Sequence, residues 1–117
     1  MKIESELMRG AGPLAVLKLL ERRDMYGYEL VESLASQTDG VLNMGQSTLY
    51  PLLYNLEAKG LIAGEWREAD SGRQRKYYRL TGSGRKRLSR DEKQWMALSG
   101  AMAALGIAPT PRAGVAL

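Results

Sequence analysis

The chain has 117 residues, 44% of them hydrophobic, which is enough for one domain with a modest core. It contains no cysteine and no histidine, which removes thiol chemistry and the commonest metal ligand and general base, so we expect no enzyme, no cofactor and no metal site. The net charge of +4 is divided unevenly: residues 1–70 carry seven Lys and Arg against eleven Asp and Glu, a net of −4, whereas residues 71–117 carry ten against two, a net of +8.

The sequence has no feature that would direct it to a membrane. Residues 1–6 lack the basic flank and apolar run of a signal peptide, and nowhere do about 18 apolar residues follow one another. We therefore expect a soluble, cytoplasmic protein with no membrane partner.

The first predicted helix is supported by apolar side chains at helical spacing within residues 14–20. Its beginning is open, because Pro13 could either start the helix or kink a longer one that begins near Glu4. We favour the longer helix, since otherwise Leu7 and Met8 would have no face to bury.

Two further helices follow after short links. Leu30, with another leucine one turn later, predicts a second helix that ends before the turn signal Asp39-Gly40. Four leucines within residues 49–56 fall at i, i+3, i+4 and i+7, so a third helix begins near Ser47 and stops at Gly60. One face of this third helix is predicted to be core.

The opposite face of the third helix is polar and aromatic. Its residues include Ser47, Thr48 and Pro51, and the i, i+4 pair Tyr50 and Tyr54 puts two phenols side by side, facing outward. The pattern alone also fits an ordinary amphipathic helix with two tyrosines in solvent. The remainder of the chain is needed to decide between these interpretations.

After the third helix the hydrophobic period changes to that of strands. Residues 61–68 and 75–80 are two short runs rich in aromatic and aliphatic side chains, separated by a polar, glycine-containing stretch at 69–74. Eight Lys and Arg occur between Arg73 and Arg90 with no acidic residue among them. Such a block is either a solvated face or the electrostatic footprint of a nucleic-acid-binding protein.

Three helices followed by a β-hairpin with a basic tip predict a mainly α (α+β) fold, a winged helix-turn-helix domain over residues 1–80. In that arrangement the third helix lies in the major groove of double-stranded DNA and the hairpin reaches the adjacent backbone. The start of the third helix would then contact bases, and the hairpin would contact phosphates. The predicted DNA-binding residues are Gln46, Ser47, Thr48, Tyr50, Tyr54, Arg73, Arg75 and Lys76.

A long helix is predicted over residues 81–105, with Thr81 as its N-cap, followed by a flexible tail over residues 106–117. Five of its six core heptad positions are apolar, and a domain of about 80 residues cannot cover such a seam, so we expect a homodimer. The alternative is that the seam packs on the first helix of the same subunit. The predicted dimerisation residues are Leu88, Trp95, Leu98, Met102 and Leu105.

Trp95 occupies a core heptad position where leucine would pack more simply. A two-fold axis would bring two such indoles together and leave an apolar slot between them, with Met96 and Met102 as adaptable walls. We therefore predict that Trp95 binds a planar aromatic effector. The alternative is that the two indoles stack and close the gap.

These features resemble the PadR family of transcriptional regulators. The resemblance covers about residues 5 to 90 and is carried by QSTLYPLL at 46–53, GLI at 60–62, Trp66, GRQRKYY at 72–78 and LTGSG at 80–84. It implies a dimeric winged-helix repressor that binds a pseudo-palindromic operator and is released by a small molecule. The single helix after the hairpin is similar to the short subtype of the family, in which that helix forms the dimer interface.

Two functional classes remain after the sequence has been considered. The first is a sequence-specific DNA-binding repressor. The second is a winged-helix module whose tyrosine face and basic block meet an acidic protein instead of DNA. DNA binding through several Lys and Arg weakens steeply with salt and favours one palindromic duplex, whereas a protein-binding module has no duplex preference.

Overall fold

The computed structural model describes residues 1–107 and places four α-helices around one antiparallel sheet. In chain order the elements are α1 (Ser5–Arg22), β1 (Met25–Tyr26), α2 (Gly27–Gln37), α3 (Gln46–Ala58), β2 (Ile62–Glu68), β3 (Gln74–Leu80) and α4 (Gly82–Ala104). The strand order is β1-β3-β2, so β3 is central. The predicted winged helix-turn-helix fold with a long final helix is confirmed.

The core is built mainly from leucines, as the absence of phenylalanine requires. The predicted stripe of α3 is buried, apart from Leu52, which is half-buried against the core. Apart from the Tyr78 phenol, no charged or polar side chain is buried among residues 1–107. The core residues are Val16, Leu17, Leu19, Leu20, Met25, Leu30, Leu34, Met44, Leu49, Leu53, Leu56, Leu61, Ile62, Tyr78, Leu80 and Leu88.

Helix α1 is the longer of the two predicted alternatives and contains Pro13 within it. The reason given for preferring it was only half right. Met8 packs against the core, but Leu7 is 71% exposed. Leu7 lies about half a turn away from the face that carries Val16, because nine residues at about 100° each bring the side chain to the opposite side of the helix.

The glycine-rich stretch before Pro13 has a packing role. Gly12 is buried where α1 crosses α3, and a Cβ atom at that position would lie 3.0 Å from Cδ1 of Leu52 and 3.7 Å from Sδ of Met44. A larger residue would therefore push the two helices apart.

Strand β1 has two residues and was not predicted. Met25 and Tyr26 pair with Tyr78 and Tyr77 of β3, which joins the α1–α2 link to the hairpin. The backbone N–H of Tyr26 also donates to Oε1 of Glu29 at 3.2 Å, which fixes the start of α2.

Helix α3 ends where the sequence predicts. Gly60 has φ of +73°, its N–H donates to the carbonyl of Glu57 at 2.9 Å, and the N–H of Leu61 donates to the carbonyl of Leu56 at 3.0 Å. These two hydrogen bonds form a Schellman motif, which favours glycine at the left-handed position. The chain leaves the motif directly into β2.

Strands β2 and β3 form the hairpin, with Ile62 opposite Leu80 at the base and Glu68 opposite Gln74 near the tip. The tip is closed by two hydrogen bonds of 2.8 Å, from the N–H of Ala69 to the carbonyl of Arg73 and from the N–H of Gly72 to the carbonyl of Ala69. The strand bounds agree with the predicted ones to within one residue.

The beginning of α4 is tied to the hairpin base. The hydroxyl of Thr81 accepts a hydrogen bond from the N–H of Gly84 at 3.0 Å, as predicted for an N-cap, and it lies 2.7 Å from the carbonyl oxygen of Gly60, to which it can donate. A Cβ atom on Gly84 would collide with the carbonyl oxygen of Leu61. Only glycine allows this close approach.

The assignment of Leu88 to a dimer interface is wrong. Leu88 is 1% exposed and belongs to the core of the winged domain. Helix α4 packs on α1 over this first part, where Lys18 of α1 forms an ion pair of 3.4 Å with Glu92. Leu88 therefore has no surface left for a second subunit.

Helix α4 closes with the same motif as α3. Gly106 has φ of +98°, and the N–H of Ile107 donates to the carbonyl of Met102 at 2.8 Å. Apart from these two residues, the predicted tail over residues 106–117 lies outside the described residues. None of the helices within residues 1–107 has the length and apolar composition that crossing a bilayer requires.

Candidate nucleic-acid interface

The outer face of α3 is available to a partner over the whole helix. Gln46, Ser47 and Thr48 are exposed in its first turn. Further along, Tyr54 is 74% exposed and Tyr50 is 45% exposed. The sequence therefore placed this face correctly, with hydroxyls and an amide at the start of the helix and two phenols beyond them.

The two tyrosines do not have the same surroundings. Tyr50 leans over the beginning of α2, where a Cβ atom on Gly27 would lie 2.7 Å from its hydroxyl oxygen. Gly27 is thus required for the α2–α3 contact, and the Tyr50 ring takes part in packing α3 against α2. Tyr54 has no such role and extends into solvent.

The three cations predicted to bind phosphates also differ. Arg73 is exposed at the hairpin tip, and none of the ion pairs among residues 1–107 involves it. The guanidinium carbon of Arg75 lies 4.4 Å from the ring centre of Tyr26, a cation–π contact. Nζ of Lys76 forms an ion pair of 3.0 Å with Oε1 of Glu57.

Lys76 belongs to a network that joins the hairpin to α3. Oε2 of Glu57 also accepts a hydrogen bond of 3.3 Å from the N–H of Gly64, so one carboxylate holds both strands of the hairpin. A Cβ atom on Gly64 would collide with the Lys76 side chain. The hydrogen bond to Glu57 raises the pKa of Lys76, which keeps the ammonium group charged.

A groove of about 280 Å³ lies between the hairpin and the start of α2, and Tyr50 is the α3 residue that lines it. Its floor is aromatic, and burial raises the pKa of the Tyr78 phenol there, which keeps it neutral. The lining residues are Tyr26, Gly27, Tyr50, Trp66, Gln74, Arg75, Lys76 and Tyr78.

Trp66 was not predicted as a functional residue. The sequence placed it on the same face of β2 as Ile62, and the strand register agrees. It lies four residues nearer the tip, about 13 Å at strand spacing, and is 66% exposed, whereas Ile62 is 1% exposed. The alternation along β2 put Trp66 on the inner face, but its exposure depends on how far the core extends, so the sequence carried no signal for this role.

The remaining predicted site residues lie far along α4. Trp95 is 47% exposed, Leu98 50%, Met102 39% and Leu105 78%. All four are exposed because α4 continues past the winged domain, which makes the chain 53 Å long against 27 Å in the other directions.

Comparison with known proteins identifies the family. Residues 16–90 match the model of the transcriptional regulator PadR-like family. The chain is similar to the crystal structure of a PadR-family transcriptional regulator from Eggerthella lenta, with 42% identity, a TM-score of 0.75 and coverage of 86% of this chain and 85% of that one. A Streptococcus transcriptional regulator is 34% identical with a TM-score of 0.78, over 89% of this chain and all of the other.

A further relative agrees with these structures. A transcriptional regulator of Mycobacterium tuberculosis is 35% identical over 88 residues, which are 75% of this chain and 78% of the relative. The family consists of transcriptional regulators and not of enzymes, and it implies regulation through DNA binding. The chain therefore belongs to the PadR-like family of transcriptional regulators.

Proposed function

We propose that this protein is a homodimeric repressor that binds a pseudo-palindromic operator in double-stranded DNA and leaves it when a planar aromatic molecule binds. The observation that carries the proposal is that the outer face of α3 is exposed beside the basic hairpin, which Glu57 holds against α3 through Lys76 and Gly64. In a winged helix this spacing lets the helix enter the major groove while the hairpin follows the adjacent backbone.

Base recognition is assigned to the start of α3. The residues at the N-terminal end of a recognition helix are those that reach base edges. Gln46 offers an amide that can pair with adenine, and Ser47 and Thr48 offer hydroxyls that can donate or accept. Tyr50 and Tyr54 follow on the same face, with Tyr54 the more available of the two.

Phosphate contacts are assigned to the hairpin. Arg73 can meet a phosphate directly, since it is exposed at the tip. Arg75 and Lys76 have to share their present partners, Tyr26 and Glu57, with the DNA. We therefore expect Arg73 to contribute the largest share of the three.

Dimerisation is assigned to the second half of α4. Residues 95–105 include no charged side chain, yet Trp95, Leu98, Met102 and Leu105 are all at least 39% exposed. A continuous apolar surface of this kind marks an interaction site. The same stripe on a second copy is the simplest cover, because a two-fold axis brings identical surfaces together.

Effector binding is assigned to the centre of that interface. Trp95 would face its counterpart across the two-fold axis, and an incomplete fit between two indoles would leave a slot with π faces. A molecule in that slot would change the angle between the two α4 helices. Because Thr81 and Gly84 tie α4 to the hairpin base, the change would alter the spacing of the two winged domains and release the operator.

The test is selection of genomic fragments by the purified protein, followed by affinity measurements over a salt series. We expect one pseudo-palindromic site with half-sites about 10 base pairs apart, or a multiple of that, and a steep loss of affinity with salt. Arg73→Ala should lower the salt slope by about 1 per subunit contact. Arg22→Ala is the matched control. Arg22 donates a hydrogen bond to Gln37 at the end of α2, whereas Tyr50 of α3 contacts the beginning of α2.

Two results would contradict the proposal. Equal affinity for every duplex would favour the winged-helix module that binds an acidic protein. An unchanged slope in Arg73→Ala would contradict the assignment of Arg73 to a phosphate. For the effector, a panel of planar aromatic compounds should quench Trp95 fluorescence and release the operator together. If no compound does both, the effector mechanism is wrong.

A further inference from the structure

Trp66 is a large aromatic side chain that lies outside the core. It faces the inner side of the hairpin, opposite Lys76 in the strand register, and leaves 66% of its surface in solvent. No cation–π or aromatic pair among residues 1–107 involves it. Trp66 therefore has no role in the core.

The charges around Trp66 favour an anionic partner in the part of the groove beside Trp66 and Lys76. Lys76 and Arg75 line the groove, and Gln74 adds a neutral amide. Glu57 offsets part of the Lys76 charge through its ion pair. Glu68 lies on the same inner face of β2, two residues nearer the hairpin tip than Trp66. An anionic chain would avoid this carboxylate and pass beside Trp66, on the side away from the tip.

We propose that Trp66 holds one strand of the DNA backbone in this groove, with the indole face against a deoxyribose and Nε1–H donating to a phosphate oxygen. The proposal rests on the proposed function, because a duplex held by α3 and by the hairpin must pass one strand across the gap between them. Tyr50 of α3 and the hairpin residues Trp66 and Lys76 line one groove, so this groove is the path that such a strand would take.

This contact has a property that distinguishes it from the cationic contacts. Sugar and phosphate are the same at every base pair, so Trp66 adds affinity without choosing a sequence. It carries no charge, so its loss releases no counterion and leaves the salt slope unchanged. Arg73 also acts on every duplex alike, but it does change the slope.

The experiment measures operator and unrelated-duplex affinity for the full-length wild type, Trp66→Ala and Trp66→Phe. We expect Trp66→Ala to bind both duplexes about tenfold less tightly per subunit, as for the loss of one aromatic interface contact, with the salt slope unchanged. Trp66→Phe should lose less, because it keeps an aromatic face and lacks only the N–H donor.

A charge variant tests whether the DNA strand passes along the inner face of the hairpin, near Glu68. Glu68→Gln should tighten binding to every duplex by about twofold to fivefold, because it removes a like charge from the inner face. Glu65→Gln is the matched control, since Glu65 lies on the opposite face of the same strand and pairs with Arg67. Equal effects of the two variants would mean that the strand does not pass along the inner face.

A second readout does not depend on how a variant folds. The chain has two tryptophans, so the wild type labelled with 5-fluorotryptophan gives two ¹⁹F signals, and the one that is missing in Trp66→Phe belongs to Trp66. We expect this signal to shift or broaden when any duplex is added. If the duplex binds with a salt slope that depends on Arg73 while this signal stays in place, the Trp66 proposal fails and the proposed function stands. If the wild type binds no duplex, both fail.

Discussion

The α3–hairpin face and the second half of α4 both leave large side chains in solvent, but they differ in charge. On the first, Trp66 lies opposite Lys76 in the strand register and lines the same groove as Arg75. On the second, residues 95–105 carry no charge. Aromatic groups beside cations suit a hydrated polyanion, whereas an uncharged apolar helix suits only another apolar surface. Where several large side chains are exposed together, the charges beside them therefore indicate which kind of partner the surface suits.

The largest expected effect is a loss of stability that distinguishes the first half of α4 from the second. Leu88→Ala should lower the free energy of unfolding by about 2–5 kcal/mol, because Leu88 lies in the core. Leu105→Ala removes the same atoms from a residue that is 78% exposed, and should instead weaken the dimer, by about 1–3 kcal/mol. Chemical denaturation and sedimentation equilibrium measure the two quantities.

Either variant of this matched pair can contradict the assignment of its residue. A weakened dimer in Leu88→Ala, with stability unchanged, would return Leu88 to the interface. An unaltered dimer in Leu105→Ala would mean that the end of α4 has some other partner.

A smaller effect tests the polar face. Tyr54→Ala should weaken operator binding by about 1–3 kcal/mol and leave the melting temperature nearly unchanged, since Tyr54 is 74% exposed. Its neighbour Leu53 is 1% exposed, so Leu53→Ala should lower stability by about 2–5 kcal/mol instead. Operator titration and thermal melting of both variants supply the measurement. Loss of stability in Tyr54→Ala, with binding retained, would place that tyrosine in the fold and not at the DNA.

The smallest effect asks whether α4 is covered on one side only. Gly100 lies off the predicted seam, and a Cβ atom there would meet nothing within 4 Å in its own subunit. Gly100→Ala should therefore stabilise the protein by about 0.5–1 kcal/mol, because alanine favours the helix. Thermal melting and dimer dissociation are measured together. A weaker dimer would show that a second surface packs closely on this side.

The sequence alone predicted the elements that depend on local chemistry. The leucine spacing of α3, the N-cap at Thr81 and the strand runs that flank residues 69–74 are patterns within one element. Their physical causes, side-chain periodicity and the capping of open backbone groups, act over a few residues. For the same reason the long α4 could be predicted to within one residue of its end.

Other features depended on contacts between distant parts of the chain. Strand β1 exists because Met25 meets Tyr78, and two residues carry no period of their own. Lys76 was read from the sequence as a phosphate contact, whereas its ion pair with Glu57 depends on how α3 lies against the hairpin. The exposure of Leu7 follows from which side of α1 faces the core.

Leu88 and Trp66 show the division most clearly. The sequence determined that each lies on an inward-facing position of its helix or strand, because period 3.6 and period 2 are written in the residue order. Only the tertiary structure decided that Leu88 reaches the core and Trp66 does not, since 1% against 66% exposure reflects how far the packed layers extend along each element. Periodicity is a property of the backbone geometry of one segment, whereas burial is a property of what lies opposite it.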